Sequence, residues 1–184
     1  MHIRHASIGS VALLGALAAM LISSVGASAA GRSIAAAPDR TLVTTQHVSM
    51  SLDCSHLSAG AQQYATAHSL CTAGVTPNDR QPGSCGWSEI NLFNDFDGTF
   101  TIEYAFHSSQ GTVIARSLTV SYQDRLGGAS FDDSNSMAST DYTASRRAFV
   151  GGGPARINAA LDGSILLWWF ATCSMNHPTA SSNY

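Results

Sequence analysis

The stretch TFTIEYAFHSSQGTVIARSLTVSY, residues 99–122, gives the clearest indication of the fold, because its side chains alternate between apolar and polar with a period of two. The apolar positions are Phe100, Ile102, Tyr104 and Phe106 in the first half, and Ile114, Leu118, Val120 and Tyr122 in the second. This period is typical of β-strands with one buried face. A three-residue loop at 109–111 sets Phe106 opposite Ile114, so both apolar sets share a face, and it gives Gly111 the left-handed position of the turn. We therefore predict an antiparallel hairpin.

Further strands on both sides follow from the same alternation. The predicted strands are WSEINLF (87–93), TFTIEYAFH (99–107), TVIARSLTVSY (112–122), ASRRAFV (144–150), RINAAL (156–161) and SILLWWFATC (164–173). We expect Leu92 opposite Phe100, a long polar loop at 123–143, and a hairpin at Asp162-Gly163, which is a strong turn signal. The predicted fold is mainly β, an antiparallel β-sandwich or small barrel of about six strands preceded by a short disulfide-pinned helix.

The adjacent tryptophans take opposite faces of the last predicted strand. A two-residue turn at Asp162-Gly163 sets Ile157 opposite Trp168, which makes Trp168 the core residue, and sets Arg156 opposite Trp169. The Arg156 guanidinium would stack on the Trp169 indole at a gain of roughly 0.5–1 kcal/mol. Trp169 and Arg156 are therefore the candidate ligand-binding residues, for a sugar ring or a peptide. The favoured interpretation, however, is that the preceding helix covers the face with Trp169.

A helix is predicted in LDCSHLSAGAQQYATAHSLCTAG, residues 52–74, where Ser58 is placed to cap its N-terminus. The four cysteines permit three disulfide pairings. We favour Cys54 with Cys71 and Cys85 with Cys173, because each bridge then closes an evident structural unit. A zinc site is the alternative use of four thiols, but the sequence contains no Cys-x-x-Cys spacing.

The N-terminus has the charged, apolar and small-residue order of a secretory signal peptide. An uncleaved membrane anchor is the alternative. The predicted organisation is a signal peptide at 1–29, a leader or linker at 30–48, a short helical segment at 49–84 packed on the sheet, a β-sandwich domain at 85–174 and a loose tail at 175–184. We therefore expect a secreted, extracellular protein with no stable membrane association after signal cleavage, and its composition is ordinary for an exported bacterial protein.

Charge excludes one class of partner. The chain has nine basic residues, all arginine, against twelve acidic ones, and a formal net charge of −3. This mild acidity gives no electrostatic footprint for nucleic acid.

Motifs for catalysis or metal binding are weak. NDFDG (94–98) and FDDSN (131–135) are similar to calcium-binding loops, but they lack the third spaced ligand and the closing Glu, and turn chemistry accounts for them. The mature chain's histidines are His47, His56, His68, His107 and His177, and none has the spacing of a catalytic zinc site. There is also no Gly-x-Ser-x-Gly elbow. We therefore expect no catalytic residue, metal or cofactor.

The function predicted from these patterns is non-catalytic binding of an extracellular glycan or protein. A secreted hydrolase built from distant loop residues is one alternative, because triads are recognised by geometry and need no local motif. A secreted protease inhibitor that presents the predicted loop at 123–143 as bait is another.

Overall fold

Within the residues that the structure describes, the protein forms one antiparallel β-sheet with a single short helix packed against it. The computed structural model describes residues 40–71, 80–150 and 156–183, and of residues 80–83 only the backbone. The elements in chain order are β1 (Thr41–Asp53), α1 (Ala59–Ala67), β2 (Arg80–Asn94), β3 (Thr99–Ser108), β4 (Val113–Asp124), β5 (Gly127–Ser139), β6 (Asp141–Phe149), β7 (Arg156–Leu167), β8 (Thr172–Ser174) and β9 (Thr179–Asn183). The predicted fold class is confirmed, with nine strands in place of about six. The predicted signal peptide at 1–29 lies outside the described residues.

The sheet is nearly closed into a barrel. Its strands follow the order β5, β4, β7, β8, β1, β2, β3, β6, and β9 also pairs with β7. The two strands at the ends of this order, β5 and β6, are consecutive in the chain and are connected by the single residue Thr140. They therefore meet at one corner, and side chains complete the closure between them.

The predicted hairpin at residues 99–122 is wrong, although both halves are strands. β3 pairs with β2 and β6, whereas β4 pairs with β5 and β7. Gly111 has the expected positive φ of 91°, but its loop leads away from β3 and packs on Trp168, whose backbone N–H donates to the Thr112 carbonyl. Alternation fixes which face of a strand is buried, and it does not identify the neighbouring strand.

The register between β2 and β3 differs by two residues from the prediction. Leu92 lies opposite Ile102, and not opposite Phe100. A shift of two residues leaves every side chain on its original face, because the side-chain period is also two. The predicted buried face of β3 is accordingly confirmed, and Phe100 and Phe106 are almost fully buried.

β7 runs straight through the predicted hairpin at Asp162-Gly163, which is therefore wrong. Gly163 pairs with Leu118 of β4 in an unbroken register. It has a φ of 118°, and a Cβ at this position would lie 2.1 Å from the Ser117 carbonyl oxygen. Glycine is therefore needed here for close approach of two backbones, and not for a turn. The chain reverses later, between β7 and β8, at residues 168–171.

Three segments predicted to be irregular are strands. Residues 41–48 of the predicted leader belong to β1, the predicted loop at 123–143 contains β5, and the predicted tail contains β9. Residues 30–39 of the leader lie outside the described part of the chain. β5 is exposed along most of its length, and only its backbone pairing with β4 makes it a strand. Polar edge strands of this kind carry little hydrophobic pattern to detect.

Both predicted disulfides are present, Cys54–Cys71 around the helix and Cys85–Cys173 between β2 and β8. Ser58 caps α1 as predicted, since its hydroxyl oxygen accepts from the backbone N–H of Ala61. Ala61 and Ala65 face the core. The helical segment predicted at 49–84 thus packs on the sheet, and its two ends also supply the end of β1 and the start of β2.

Candidate functional site

Trp169, one of the two predicted ligand-binding residues, is buried. It is 6 % exposed, whereas Trp168 is 48 % exposed, so the predicted placement of the two tryptophans is reversed. The reason is the missing turn at Asp162-Gly163, because alternation then continues unbroken along β7 and beyond it. The Trp169 ring packs on Tyr64 of α1, with 4.8 Å between ring centroids. This confirms that the helix covers the face with Trp169, which offers no exposed platform.

Arg156, the other predicted residue, lies at the start of β7 and far from Trp169. It pairs with Asn183 of β9, and its Nη2 group donates to the Ser181 hydroxyl at 3.4 Å. Trp169 follows the other end of this twelve-residue strand. The structure therefore does not bring Arg156 and Trp169 together.

Arg156 instead lines a groove of about 760 Å³ on the outer face of the sheet, here called the outer groove. Its lining residues come from β4, β5, β7 and β9 and from the β8–β9 loop: Ser121, Tyr122, Gln123, Gly128, Ala129, Ser130, Arg156, Asn158, Ala159, Ala160, His177, Thr179, Ala180 and Ser181. Alternation produces this surface, because Ile157, Ala159 and Leu161 face the core while the residues between them face outward. The volume falls within the range of roughly 300–1,000 Å³ of small-molecule sites.

The exposed walls of the outer groove are hydroxyl and amide groups. Gln123 of β4, Asn158 of β7, and Thr179 and Ser181 of β9 are all exposed. Amides and hydroxyls both donate and accept hydrogen bonds. Among its described lining residues there is no Asp or Glu, and Arg156 and His177 are the ionisable groups besides Tyr122. The groove therefore suits a ligand rich in hydrogen-bonding groups.

His177 is held at the edge of the outer groove by two sets of contacts. Its Nδ1 atom lies 2.6 Å from the Asp162 carboxylate, which selects the tautomer that donates from Nδ1. Asn176 and His177 both have a positive φ, of 57° and 56°. This backbone conformation is costly for residues other than glycine, and the Asn176 side-chain amide stabilises it by donating to the Ser49 carbonyl at 2.6 Å.

A second constellation, here called the polar seam, joins β5 to β6 and consists of Tyr104, Arg116, Asp133 and Tyr142. The Arg116 guanidinium donates from Nε and Nη2 to Asp133 Oδ1 at 3.1 and 2.6 Å. Tyr104 donates to Asp133 Oδ2 at 2.9 Å, and the Tyr142 hydroxyl donates to the same oxygen. The guanidinium also lies 4.0 Å from the centroid of the Tyr142 ring. Side chains from the three strands β3, β4 and β6 thus converge on one carboxylate of β5.

The surroundings of Asp133 determine its charge. Burial raises the pKa of its carboxyl, but the hydrogen bonds from Arg116, Tyr142 and Tyr104 lower it by more. The pKa therefore lies below the ordinary value of 3.8. Burial, with the hydrogen bond to Asp133, raises the pKa of Tyr104. At neutral pH the seam therefore contains an ionised carboxylate and two protonated tyrosine donors. Its geometry serves to close the sheet.

An aromatic ladder crosses the outer face of β1, β2 and β3. The Trp87 ring lies 4.6 Å from that of His47 and 6.0 Å from that of His107, and it is tilted by 34° and 28° from them. His47 pairs with Glu89 at 3.4 Å, and His107 pairs with Asp141 at 2.7 Å. The Trp87 ring thus packs against a histidine ring on each side, and these cross-strand contacts stabilise the sheet.

The two calcium-like loops have structural contacts. Asp95 accepts hydrogen bonds from Thr101 and Arg147, and Asp97 accepts them from Thr99 and Arg147. In the second loop, residues 131–135 belong to β5, and Asp133 is part of the polar seam. Within residues 40–71, 80–150 and 156–183, no cluster of three His, Cys, Asp or Glu side chains is arranged to hold a metal ion.

Sequence reasoning identified Arg156 but missed the rest of the outer groove. Thr179 and Ser181 lie in the segment interpreted as a tail, yet the exposed and buried residues of β9 alternate through all five positions. Its buried positions are Ala180 and Ser182, which are too small and polar to give a hydrophobic signal. The sequence did contain one signal for the groove. Arg156 and Asn158 alternate with the apolar residues Ile157 and Ala159, which places both polar side chains on the outer face of β7.

No family model, no curated protein and no solved structure matches the chain. In the part of the chain that the structure describes, α1 is the sole helix, and no helix there has the length and apolar character to cross a membrane.

Proposed function

We propose that the protein is exported and binds a carbohydrate in the outer groove without catalysing a reaction. The observation that carries this proposal is a groove of about 760 Å³ whose exposed walls are the amides of Gln123 and Asn158 and the hydroxyls of Thr179 and Ser181. Saccharide hydroxyls donate and accept hydrogen bonds, and so do these side chains. Trp169 takes no part in this site, because its side chain is buried.

The scaffold supports binding because the groove residues lie on paired strands. β7 is hydrogen-bonded to β4 on one side and to β9 on the other, so Asn158 is flanked by Gln123 and Ser181 in a fixed register. Side chains fixed in this way lose little conformational freedom when a ligand binds. Export is supported by the signal-like N-terminus and by two disulfides, which persist in oxidising compartments.

A blocking variant tests the proposal directly. Ala160 is half-buried on the outer side of β7, so the Ala160→Phe side chain would fill the groove without entering the core. The wild type is expected to bind at least one saccharide on a glycan array, and Ala160→Phe is expected to lose at least about tenfold in affinity. The matched control is Ala138→Phe, at an exposed position of β5 that is not a lining residue. It should retain the wild-type affinity. An array without any bound glycan, or equal binding by Ala160→Phe, would contradict the proposal.

Hydrolysis is a second candidate, and it is favoured by the contact between His177 and Asp162. A carboxylate on Nδ1 orients a histidine so that its other nitrogen is able to accept a proton. Hydroxyls line the same groove. Turnover of an ester, amide or glycoside by the wild type, lost in His177→Gln at unchanged thermal stability, would favour hydrolysis over binding alone. For the inhibitor alternative, the predicted loop at 123–143 is not a free loop along its whole length, because its residues 127–139 form β5.

A further inference from the structure

We infer that the carbohydrate taken by the outer groove is acidic and carries a carboxylate or a sulfate. This inference rests on the proposed function and names its ligand class. Its starting point is the charge of the groove. The chain as a whole carries a formal net charge of −3, yet the described lining of the groove includes the Arg156 guanidinium and no acidic side chain.

The groove continues into a smaller cavity that contains a second guanidinium. This cavity, of about 340 Å³, is lined by Gln123, Asp124, Arg125, Arg156 and Asn158. Arg156, Gln123 and Asn158 line both spaces, so the two cavities adjoin at these side chains. A saccharide that lies along the groove would reach Arg156 at this end.

The carboxylate in the smaller cavity is already engaged by the backbone. Asp124 Oδ1 accepts from the backbone N–H groups of Leu126 at 2.7 Å and Gly127 at 3.1 Å, which shapes the turn between β4 and β5. The lining of the smaller cavity therefore includes two guanidinium groups and one carboxylate, and that carboxylate is bound to its own turn. The charge at this end of the groove favours an anion.

Arginine is chemically suited to such a group. Its planar guanidinium presents paired N–H donors that match the two oxygens of a carboxylate or of a sulfate. At the other end of the groove, His177 is paired with Asp162. We therefore place the anionic group of the ligand at Arg156 and the neutral hydroxyls along Asn158, Thr179 and Ser181.

The test compares matched ligands by isothermal titration of the mature chain. The probes are an oligogalacturonate, the neutral galactose oligomer of the same linkage, and a sulfated galactose oligomer. The wild type is expected to bind one of the two anionic probes at least about tenfold more tightly than the neutral one, and the probe that wins identifies the anion. The affinity for that probe should fall as salt is raised.

Two variants give the inference its control. Arg156→Gln is expected to lose about tenfold in affinity for the anionic probe and clearly less for the neutral probe, which lacks the charge that the guanidinium pairs with. Arg40→Gln removes the same charge at an exposed position over Phe93, outside the groove, and should change neither. Equal affinity for charged and neutral probes, unaffected by Arg156→Gln, would overturn the inference while the proposed function stands. Binding of none of the three probes, together with an empty glycan array, would overturn both.

Discussion

Two regions hold the sheet together through different kinds of interaction. At the β7–β8 corner, residues 168–173, the buried Trp169 ring packs on Tyr64, and Cys173 is joined covalently to Cys85. At the polar seam, β5 and β6 are joined by hydrogen bonds to Asp133. The corner depends on apolar burial and a covalent bond, whereas the seam depends on one ionised carboxylate. The two closures should therefore respond differently to reduction, to truncation of side chains and to acid.

Loss of the Cys85–Cys173 bridge is expected to have the largest effect. The bridge joins residues 88 positions apart, and in the chain-entropy model such a loop stabilises the folded state by about 4–5 kcal/mol. The double variant Cys85→Ser/Cys173→Ser should lower the free energy of unfolding, measured in urea, by this amount. The matched control is Cys54→Ser/Cys71→Ser, whose loop of 17 positions predicts about 3 kcal/mol. A larger loss from the shorter loop would contradict the entropic account of the corner.

Truncating each of the two tryptophans tests how much buried packing at the corner contributes to stability. Trp169→Ala is expected to lower the free energy of unfolding by about 3–5 kcal/mol, because it empties a buried site. Trp168→Ala should cost less, about 1–2 kcal/mol, since about half of this side chain is exposed and the rest packs on Tyr64 and Gly111. Thermal and urea denaturation of both variants measure the difference. Equal costs would show that the corner does not depend on Trp169 packing.

At the seam, Asp133→Asn keeps the size of the side chain but removes its charge. Arg116 and Asp133 are only 11 % and 16 % exposed at the side chain, so the unpaired guanidinium should cost about 2–3 kcal/mol. Asp132→Asn is the matched control, because Asp132 is exposed and accepts from Thr119 on the outer face. It should change the free energy of unfolding by less than about 0.5 kcal/mol. Similar costs for the two variants would mean that the seam contributes nothing specific.

The smallest expected effect is on the pH dependence of the free energy of unfolding, which should involve the polar seam and not the β7–β8 corner. Because the pKa of Asp133 is lower in the folded protein than its ordinary value of 3.8, its ionisation stabilises the fold above that value, and this stability is lost as pH falls through the folded pKa. The free energy of unfolding should therefore drop more steeply below about pH 4 in the wild type than in Asp133→Asn. The Trp169→Ala variant should retain the wild-type slope. Parallel curves for wild type and Asp133→Asn would argue against a charged seam.

Local patterns predicted the fold class, the helix and both bridges. Ser58 is followed by good helix formers, and the alternation of β3 is carried by large apolar side chains that cannot face water on both sides. Partner choice was not predictable from these patterns. β3 could pair with any strand of the same parity. The contact between Gly111 and Trp168, at the point where the chain leaves β3, joins residues that are distant in sequence.

The candidate site was predicted less well, because a single turn assignment determined it. Asp-Gly is a common hairpin sequence, but at Gly163 the absence of a side chain serves the approach of the Ser117 carbonyl. That requirement depends on Ser117 of β4, which lies more than forty positions away, so a local sequence pattern does not show it. With the turn removed, Trp169 moves into the core and Arg156 remains outside. The groove around Arg156 also needs β9, whose small side chains carry almost no hydrophobic signal.

The position of the polar seam has a consequence for self-association. Open strand edges recruit other chains and seed fibrils, and natural proteins cover or charge them. Here β5 and β6 occupy the two ends of the strand order, and side chains hold them against each other. Each edge thereby shields the other from a foreign strand, so a chain whose seam is loosened should aggregate at concentrations that the intact protein tolerates.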